Sequence, residues 1–234
     1  MKLSPRLLAI AEMVPEGSRV ADIGTDHGYI PVFLKKTGRA KWAMASDINT
    51  GPLEKAAEVI KRHGLETEID IRRGDGLTVL DGGEADTIVV AGMGGMLMRD
   101  ILAAGVRVLK DVKRLVLQPM NAQEVVRKWL AENGYAIVDE GLARERDRIY
   151  QVIAAEHGHQ HIEDPVYFEI GKKLVENKDP LLPRLIEKKI TEYKKIMTGL
   201  QVSKDRQAVE KLKEYRVRLE RLRGVMEDCR RRNT

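Results

Sequence analysis

The fold of this chain is decided by residues 20–29, VADIGTDHGY. A short apolar run ends in Asp22 and passes into a turn at Gly24, and a helix-like segment begins at Tyr29. Strands buried on both faces of a parallel sheet appear in sequence as short apolar runs. Glycine lets a ligand approach the backbone because it has no Cβ. The stretch therefore predicts an α/β protein with a parallel sheet and a ligand-binding turn after its first strand.

The carboxylates in this turn indicate the chemistry of the ligand. A pyrophosphate binds the bare N–H groups of a G-x-G-x-x-G turn at a helix N-terminus. Here Asp22 and Asp26 would repel it, and the glycine that follows Gly24 is Gly28. Carboxylates suit a ligand with a cationic centre and an ammonium group, and S-adenosylmethionine (SAM) carries both. The alternative is that an acid in this loop only caps the helix that follows.

Two more acids stand at the ends of the next predicted strands. The apolar run 42–46 ends in Asp47, roughly as far beyond the glycine turn as the ribose-binding acid of open α/β nucleotide sites. After an amphipathic helix over 52–63, a strand at 69–71 leads to Asp75 between two glycines, where a carboxylate can accept from an adenine amino group. Gly74-Asp75-Gly76 alone is equally an ordinary turn. Three acids at three successive strand ends favour a cofactor site.

The fourth and fifth strands are predicted at 87–91 and 114–117. The fourth runs into Gly92-Met93-Gly94-Gly95, and the fifth into Gln118-Pro119-Met120-Asn121. Ligands of open parallel sheets bind outside the carboxyl ends of the strands, so Ala91 and Gly92 are expected to line the cofactor site. The amides of Gln118 and Asn121 can read the edge of a base. The glycines fit a substrate cleft and close helix packing equally well.

The rest of the chain divides into two predicted domains. Residues 1–160 begin with a helix-like segment at 3–13, alternate strands and helices, and end with two successive strands at 134–140 and 149–154. This order predicts a doubly wound sheet closed by an antiparallel hairpin. In residues 161–234, apolar positions recur every three or four residues over 182–200 and 212–226, which predicts an antiparallel coiled-coil hairpin turning near 201–205.

Charge separates the two predicted domains. Residues 181–234 contain 16 Lys or Arg and 8 Asp or Glu, a net charge of +8, whereas the whole chain carries +5. The first 180 residues therefore carry −3. A basic helical arm suggests contacts with nucleic-acid phosphates, although the solvated flanks of a coiled coil carry Lys and Arg as well. Arg230, Arg231 and Arg232 are interpreted as a frayed tail.

Some classes of protein are not indicated. Cys229 is the single cysteine, which excludes an internal disulfide and fits a reducing cytosol. There is no apolar run near 18 residues and no signal peptide, so we expect a cytoplasmic protein without membrane insertion. His157, His159 and His161 alternate in a way that suggests a metal, but no cysteine accompanies them. They are interpreted as a linker, and no metal site is predicted.

Several motifs together resemble one family. LSPRL (3–7), ADIGTDHGYIP (21–31), GDGL (74–77), AGMGG (91–95) and LQPM (117–120), with the terminal helical hairpin, resemble the TrmK-type bacterial tRNA methyltransferases. Those enzymes methylate N1 of adenine 22 in tRNA. The resemblance covers essentially the whole chain. It implies a Rossmann-like SAM-dependent methyltransferase sheet and a C-terminal coiled-coil domain that helps to hold tRNA.

The resemblance also implies roles for individual residues. Asp22, Gly24 and His27 would line the donor pocket, Asp47 would bind the ribose, and Asp75 with Gly76 would bind the adenine. The sequence departs from the family pattern at Met120, where some members have Asn. Whether Asn121 takes over that role is left open.

The implied chemistry is in-line transfer of a sulfonium methyl group to a ring nitrogen. Adenine N1 has an in-plane lone pair, so no base is needed, and positioning supplies most of the catalysis. Asp26 and Asn121 are the candidate catalytic residues. Tyr29 either stacks on the unstacked base or packs beside the donor, and Arg6 meets either the donor carboxylate or an RNA phosphate.

We expect a monomer that binds tRNA. Two other hypotheses stay open: a methyltransferase of a small molecule or protein that uses the hairpin as a dimer interface, and a non-catalytic RNA-binding protein.

Overall fold

A computed structural model describes residues 1–202 and 205–231 of the chain. By their internal contacts these residues form two compact units, Met1–His161 and a second unit that starts at Ile162. None of the described helices is long and apolar enough to cross a membrane.

The first unit is built on a seven-stranded sheet with the order β3-β2-β1-β4-β5-β7-β6. The strands are β1 (Ser18–Ile23), β2 (Ala40–Asp47), β3 (Ile69–Arg73), β4 (Thr87–Met93), β5 (Arg114–Pro119), β6 (Tyr135–Glu145) and β7 (Arg148–His157). The first five strands are parallel. Because the chain passes outward from β1 to β3 and returns to β4 beside β1, the strand order reverses between β1 and β4. Ligands of such sheets bind at this switch point.

Helices cover both faces of the sheet. They are α1 (Pro5–Glu12), α2 (Tyr29–Lys36), α3 (Thr50–Arg62), α4 (Gly95–Ala104), α5 (Val106–Leu109) and α6 (Gln123–Glu132), and a short 3-10 helix spans Gly76–Val79. One buried cluster joins Met98 and Leu102 of α4 with Leu130 of α6, and the other joins Ile10 of α1 with Ile60 of α3. The predicted Rossmann-like doubly wound sheet is therefore confirmed.

The strands β6 and β7 form the predicted antiparallel hairpin, and β7 pairs antiparallel with β5. A buried cation fixes the hairpin to α6, since Arg127 donates from Nε to Glu140 Oε1 and from Nη2 to Gln151 Oε1, each at 2.7 Å. All three side chains are buried. This polar network sets the position of the hairpin, whose far end reaches the functional site described below.

The interpretation of the three histidines as a linker is wrong for His157. This residue ends β7, its ring stacks on Tyr135 with centroids 4.8 Å apart, and its Nε2 lies 3.0 Å from the carbonyl oxygen of Leu109. The strand continues to this point because Tyr135 and His157 are register partners across the hairpin. His159 and His161 follow in irregular backbone.

The second unit is helical, with α7 (Val166–Ile170), α8 (Lys172–Glu176), α9 (Leu182–Gln201) and α10 (Arg206–Arg231). The two long helices pack antiparallel, because Tyr193 contacts Tyr215 edge-on at 5.0 Å and Glu187 pairs with Arg230 at 4.0 Å. Supercoiling stays a prediction. Residues 203 and 204 of the predicted turn at 201–205 lie outside the described range. Arg232 of the predicted tail also lies outside it.

A buried carboxylate ties the helices of the second unit together. Glu169 on α7 accepts a hydrogen bond from the hydroxyl of Tyr193 and lies 3.7 Å from Nη1 of Arg218. Apolar residues of α9 and α10 are also buried, including Ile186 and Leu222. The short helices α7 and α8 carry too few turns to give a periodic signal in the sequence.

Candidate active site

A cleft of about 480 Å³ lies outside the carboxyl ends of β1, β2, β4 and β5. This volume is within the usual range of small-molecule sites, about 300–1,000 Å³. Eight of the eleven predicted site residues line the cleft, namely Asp22, Gly24, Asp26, His27, Tyr29, Asp47, Ala91 and Gly92. The sheet therefore brings together side chains from three strand ends that are distant in sequence.

The turn after β1 holds its backbone close to the cleft. Gly24 has φ +75°, and a Cβ on it would lie 1.8 Å from the methyl carbon of Met93. The amides of Gly24 and Thr25 both donate to the carbonyl of Ser46 at 2.8 Å, which fixes the turn to β2. Gly24 is needed here for its left-handed backbone and for the close approach of Met93.

The helix after this turn starts without help from a carboxylate. The N-cap of α2 is Gly28, which has φ +67° and makes no side-chain cap hydrogen bond. The hydroxyl of Thr25 instead accepts from the amide of Gly28 at 3.0 Å. The interpretation of Asp22 or Asp26 as a helix cap is therefore wrong, and their carboxylates are available for other partners.

Asp22 is the buried acid of the cleft. Burial raises the pKa of its carboxyl to about 6, a hydrogen bond from Thr25 opposes this shift, and the charge of Asp47 adds to it. A carboxylate destabilised by burial gains stability from a cation that binds beside it. The donor set thus fits an ammonium group, in agreement with the ligand chemistry predicted from the turn.

Asp47 and Asp75 lie on the same rim but against different cavities. Asp47 accepts from the amide of Asn49 through Oδ1 at 2.7 Å, while Oδ2 lies 4.0 Å from the position of a Cβ on Gly24. Asp47 is the register partner of Arg73, so Asp75 follows two residues later at the neighbouring strand end. Asp75 and Gly76 line a second cavity of about 650 Å³ between the 3-10 helix and α4.

Asp26, His27 and Tyr29 form the outer wall of the cleft. Asp26 is an exposed carboxylate that lies 3.2 Å from Nε2 of His27 and 3.8 Å from Nζ of Lys55. The rings of His27 and Tyr29 stack with centroids 5.1 Å apart. Tyr29 is 39% exposed, so this aromatic pair presents a surface to solvent at the cleft.

The glycines at the end of β4 and the start of α4 differ in role: one lines the cleft and another serves close packing. Gly92 lines the cleft, and its Cβ position is 3.6 Å from Nη1 of Arg6. Gly95 is a packing residue, because a Cβ on it would lie 2.4 Å from the carbonyl oxygen of Ala122. Its amide donates to the backbone oxygen of Asn121 at 3.1 Å and to Oδ1 of the same residue at 3.2 Å. Asn121 thus fixes the β5–α6 loop to the start of α4.

Sequence reasoning missed the wall of the cleft opposite the acids, formed by Arg6, Met120, Glu145 and Tyr150. The amide of Arg6 donates to Oε1 of Glu145 at 2.9 Å, and its guanidinium lies over the ring of Tyr150, 5.4 Å from the centroid. Arg6 and Met120 are named from their sequence motifs, but Glu145 and Tyr150 are not, because no spacing in the sequence links residues 139 positions apart.

Gln118 lies beneath the surface of the cleft and holds Arg6 in this wall. It is completely buried, accepts from Nη1 of Arg6 at 2.9 Å, and donates from Nε2 to the carbonyl of Pro119 at 3.1 Å. The expectation that its amide reads a base edge is wrong, because both ends of the amide are bonded inside the protein.

Glu145 remains a charged group in the cleft. Burial favours its neutral form, but hydrogen bonds from the Ser4 side chain and the Arg6 amide, with the charge of Arg6, outweigh this and lower the pKa of the carboxyl. The guanidinium of Arg6 is directed at Gln118 and Tyr150, and no ion pair within 4.0 Å joins Glu145 to a cation within residues 1–202 and 205–231. Glu145 therefore places an ionised carboxylate on the wall of the cleft opposite Asp22.

The fold and the cleft together define a Rossmann-like methyltransferase. Residues 3–153 match the family described as methyltransferase domain. The sequence is 35% identical to the tRNA (adenine(22)-N(1))-methyltransferase of Bacillus subtilis (strain 168), over 97% of this chain and 98% of the relative. The chain belongs to this family of tRNA methyltransferases.

Solved structures agree with the sequence match over nearly the full length. The crystal structure of the B. subtilis m1A22 tRNA methyltransferase TrmK gives a TM-score of 0.89, with 96% of this chain and 99% of that chain covered. A putative tRNA (m1A22) methyltransferase of Streptococcus pneumoniae, solved in complex with S-adenosyl-L-methionine, gives a TM-score of 0.85 at 29% identity, with 96% and 100% covered.

Proposed function

We propose that this chain transfers the methyl group of SAM to N1 of adenine 22 in tRNA. The observation that carries the proposal is the composition of the cleft, which joins a buried acid on one wall to Arg6, Glu145 and Tyr150 on the other. The similarity to the B. subtilis enzyme over nearly its whole length supports the same substrate.

The acid-lined wall is proposed as the donor side. When bound, SAM supplies an electrophilic methyl group on a positively charged sulfur. Asp22 and the Gly24 turn hold its amino-acid end, Asp47 accepts from the ribose hydroxyls, and Ala91 and Gly92 lie beside the donor. Asp75 and Gly76 remain the proposed adenine contacts, and their place on the neighbouring strand end is consistent with a ligand that extends along the rim.

The wall made by α1 and the hairpin is proposed as the acceptor side. Adenine N1 needs no base, so the protein has to unstack the nucleotide and align it with the methyl group; alignment can contribute up to about 7–11 kcal/mol. Once N1 is methylated the ring is cationic, and a carboxylate stabilises it or accepts the N6 proton. Asp26 and Glu145 both line the cleft and can serve, and Asn121 is proposed to position the β5–α6 loop.

The second unit is proposed to hold the tRNA. Lysines at positions 194, 195, 211 and 213 of α9 and α10 are exposed, as expected for a surface that binds backbone phosphates. We further infer a monomer in the cytoplasm, which light scattering of the purified protein and fractionation of cells would check.

The test is incubation of the protein with SAM and an unmodified tRNA transcript, followed by mapping of the methylated nucleoside. We expect N1-methyladenosine at position 22 and no product from the same transcript with guanosine there. Methylation at another nucleotide would contradict the substrate site, and transfer to a protein or small molecule alone would contradict the substrate class. A protein that binds tRNA but transfers no methyl group would be a binding protein instead.

A further inference from the structure

The tip of the β6–β7 hairpin has an unusual composition for a tight turn. Glu145 and Arg148 are the last register partners, so Arg146 and Asp147 form a two-residue turn. Arg146 has φ +54°, in the left-handed region where such turns ordinarily use Gly, Asn or Asp. Arg146 therefore has a backbone conformation that is unfavourable for a residue with a long side chain. Strained residues of this kind concentrate at functional sites.

Exposure separates the side chains of the tip into two sets. Glu145 and Tyr150 line the cleft, whereas Arg144, Arg146 and Arg148 are exposed. Arg144 donates from Nε to the carbonyl of Arg146 at 3.0 Å, which braces the turn. Within the described part of the chain, none of the three arginines has an acidic partner within 4.0 Å, so their charges are available to a ligand.

The first unit has almost no net charge, so exposed arginines that lie close together at the tip differ from the rest of it. Residues 1–161 contain 22 Lys or Arg and 23 Asp or Glu, so the unit as a whole does not attract a polyanion. The cleft itself is lined by the acids Asp22, Asp26 and Asp47. Residues 144–148 hold three arginines against two acids, and one of these acids, Glu145, lines the cleft. The exposed arginines beside it form a local cationic site, and guanidinium groups bind phosphate through paired hydrogen bonds.

We propose that Arg144, Arg146 and Arg148, here called the arginine tip, bind phosphates of the substrate tRNA next to the target nucleotide. The inference rests on the proposed function and adds to it a contact surface on the catalytic unit, separate from the basic helices. Glu145 and Tyr150 belong to the same two strands as the arginine tip and line the cleft. Phosphates bound at the arginine tip would therefore place the unstacked base against these two residues. The hairpin is kept in place by the buried Arg127 network.

The test compares methylation kinetics of the full-length protein with Arg146→Gly/Arg148→Ala. Glycine relieves the backbone of residue 146, so this variant removes two guanidinium groups without adding strain. We expect the tRNA KM to rise about tenfold and the slope of log affinity against log salt to become shallower by about 0.7–0.9 per arginine. The affinity for SAM, measured by calorimetry without tRNA, should stay within twofold of wild type.

Arg62→Ala is the matched control, because Arg62 is an exposed arginine at the end of α3, on the edge of the sheet where strands begin. It should leave the tRNA KM and the salt slope unchanged. If the wild type methylates tRNA and the tip variant has the same KM and slope, the arginine tip is not an RNA contact. An equal loss of SAM affinity would assign the tip to support of the cleft and also overturn the inference. Absence of tRNA methylation by the wild type would instead contradict the proposed function.

Discussion

The guanidinium of Arg6 donates to the buried side-chain oxygen of Gln118 at 2.9 Å. This bond joins the first helix to the end of β5 and holds Arg6 at the wall of the cleft, beside Gly92 and over Tyr150. Gln118 itself has no exposed surface, so it can influence a ligand only through the residues that it contacts, Arg6 and, at 3.6 Å from its Nε2, the sulfur of Met120.

The two residues should therefore act as one unit. Arg6→Ala and Gln118→Met are each expected to lower kcat/KM, and the double variant should lose less than the sum of the two, with a coupling free energy of about 0.5–3 kcal/mol. Kinetics of the four proteins measure this cycle. Additive losses would show that Arg6 is held in place by other contacts.

Gly24→Ala tests the close backbone approach at the first turn. Its φ of +75° disfavours alanine, and the added methyl group must displace the end of Met93, which lines the cleft. We expect at least a tenfold loss of SAM affinity by calorimetry. Gly38→Ala is the control for backbone strain, because Gly38 has φ +70° but open space around its Cβ position. It should lose stability, by about 1–2 kcal/mol, and keep SAM affinity.

The pKa of Asp22 predicts how stability depends on pH. The carboxyl titrates at about 6 when folded, against an ordinary value of 3.8. The folded state binds this proton more tightly than the unfolded state, so the contribution of Asp22 to the free energy of unfolding is complete below pH 4 and is lost as pH rises through 6. The loss is about 3 kcal/mol. Denaturant unfolding without ligand should show it.

Asp22→Asn should remove this pH dependence. At pH 7 the variant is expected to unfold less readily than the wild type, because no buried charge remains, and to bind SAM more weakly, because the ammonium group loses its partner. Wild-type SAM affinity should rise with pH up to about 7 as Asp22 ionises. A variant that is no more stable at pH 7 would contradict the burial of a charged carboxylate.

The comparison of Glu145→Gln with Asp26→Asn distinguishes the two candidate catalytic carboxylates. Glutamine still accepts the hydrogen bond from the Arg6 amide, so the first variant removes charge and preserves the contact that holds α1. We expect kcat at saturating tRNA and SAM to fall about 100-fold for Glu145→Gln. Asp26 is 71% exposed and already lies beside His27 and Lys55, so we expect a fall of less than about tenfold. The reverse order would favour Asp26.

Local sequence patterns determined much of this fold. Helix α2 begins at the predicted residue, Tyr29, and ends at Lys36, since its apolar face, its glycine turn and its terminal lysines are all encoded nearby. Strands β4 and β5 extend beyond their predicted ends to Met93 and Pro119, because pairing with neighbours overrides the tendency of glycine and proline to end a strand.

One wall of the candidate site could be predicted from the sequence and the other could not. The acids of the donor wall follow strand ends, so sequence order predicts where they lie. The acceptor wall depends on contacts between residues far apart, such as Arg6 with Glu145 and Gln118. The length of β6 and its register with β7 decide that Glu145 reaches the cleft, and local periodicity contains no information on either. The same register places the arginine tip beside Glu145, which lines the cleft.

The basic helices of the second unit are expected to contribute most of the affinity for tRNA that does not depend on its sequence. Replacing Lys194, Lys195, Lys211 and Lys213 by Gln should weaken tRNA binding and make its salt dependence shallower by up to about 3–4 in log–log slope, with SAM affinity unchanged. Filter binding at several salt concentrations measures this. The control replaces Lys36, Lys61, Lys110 and Lys113, which are exposed at the edge of the sheet opposite the cleft. If both sets weaken binding equally, net charge and not the helical surface governs affinity.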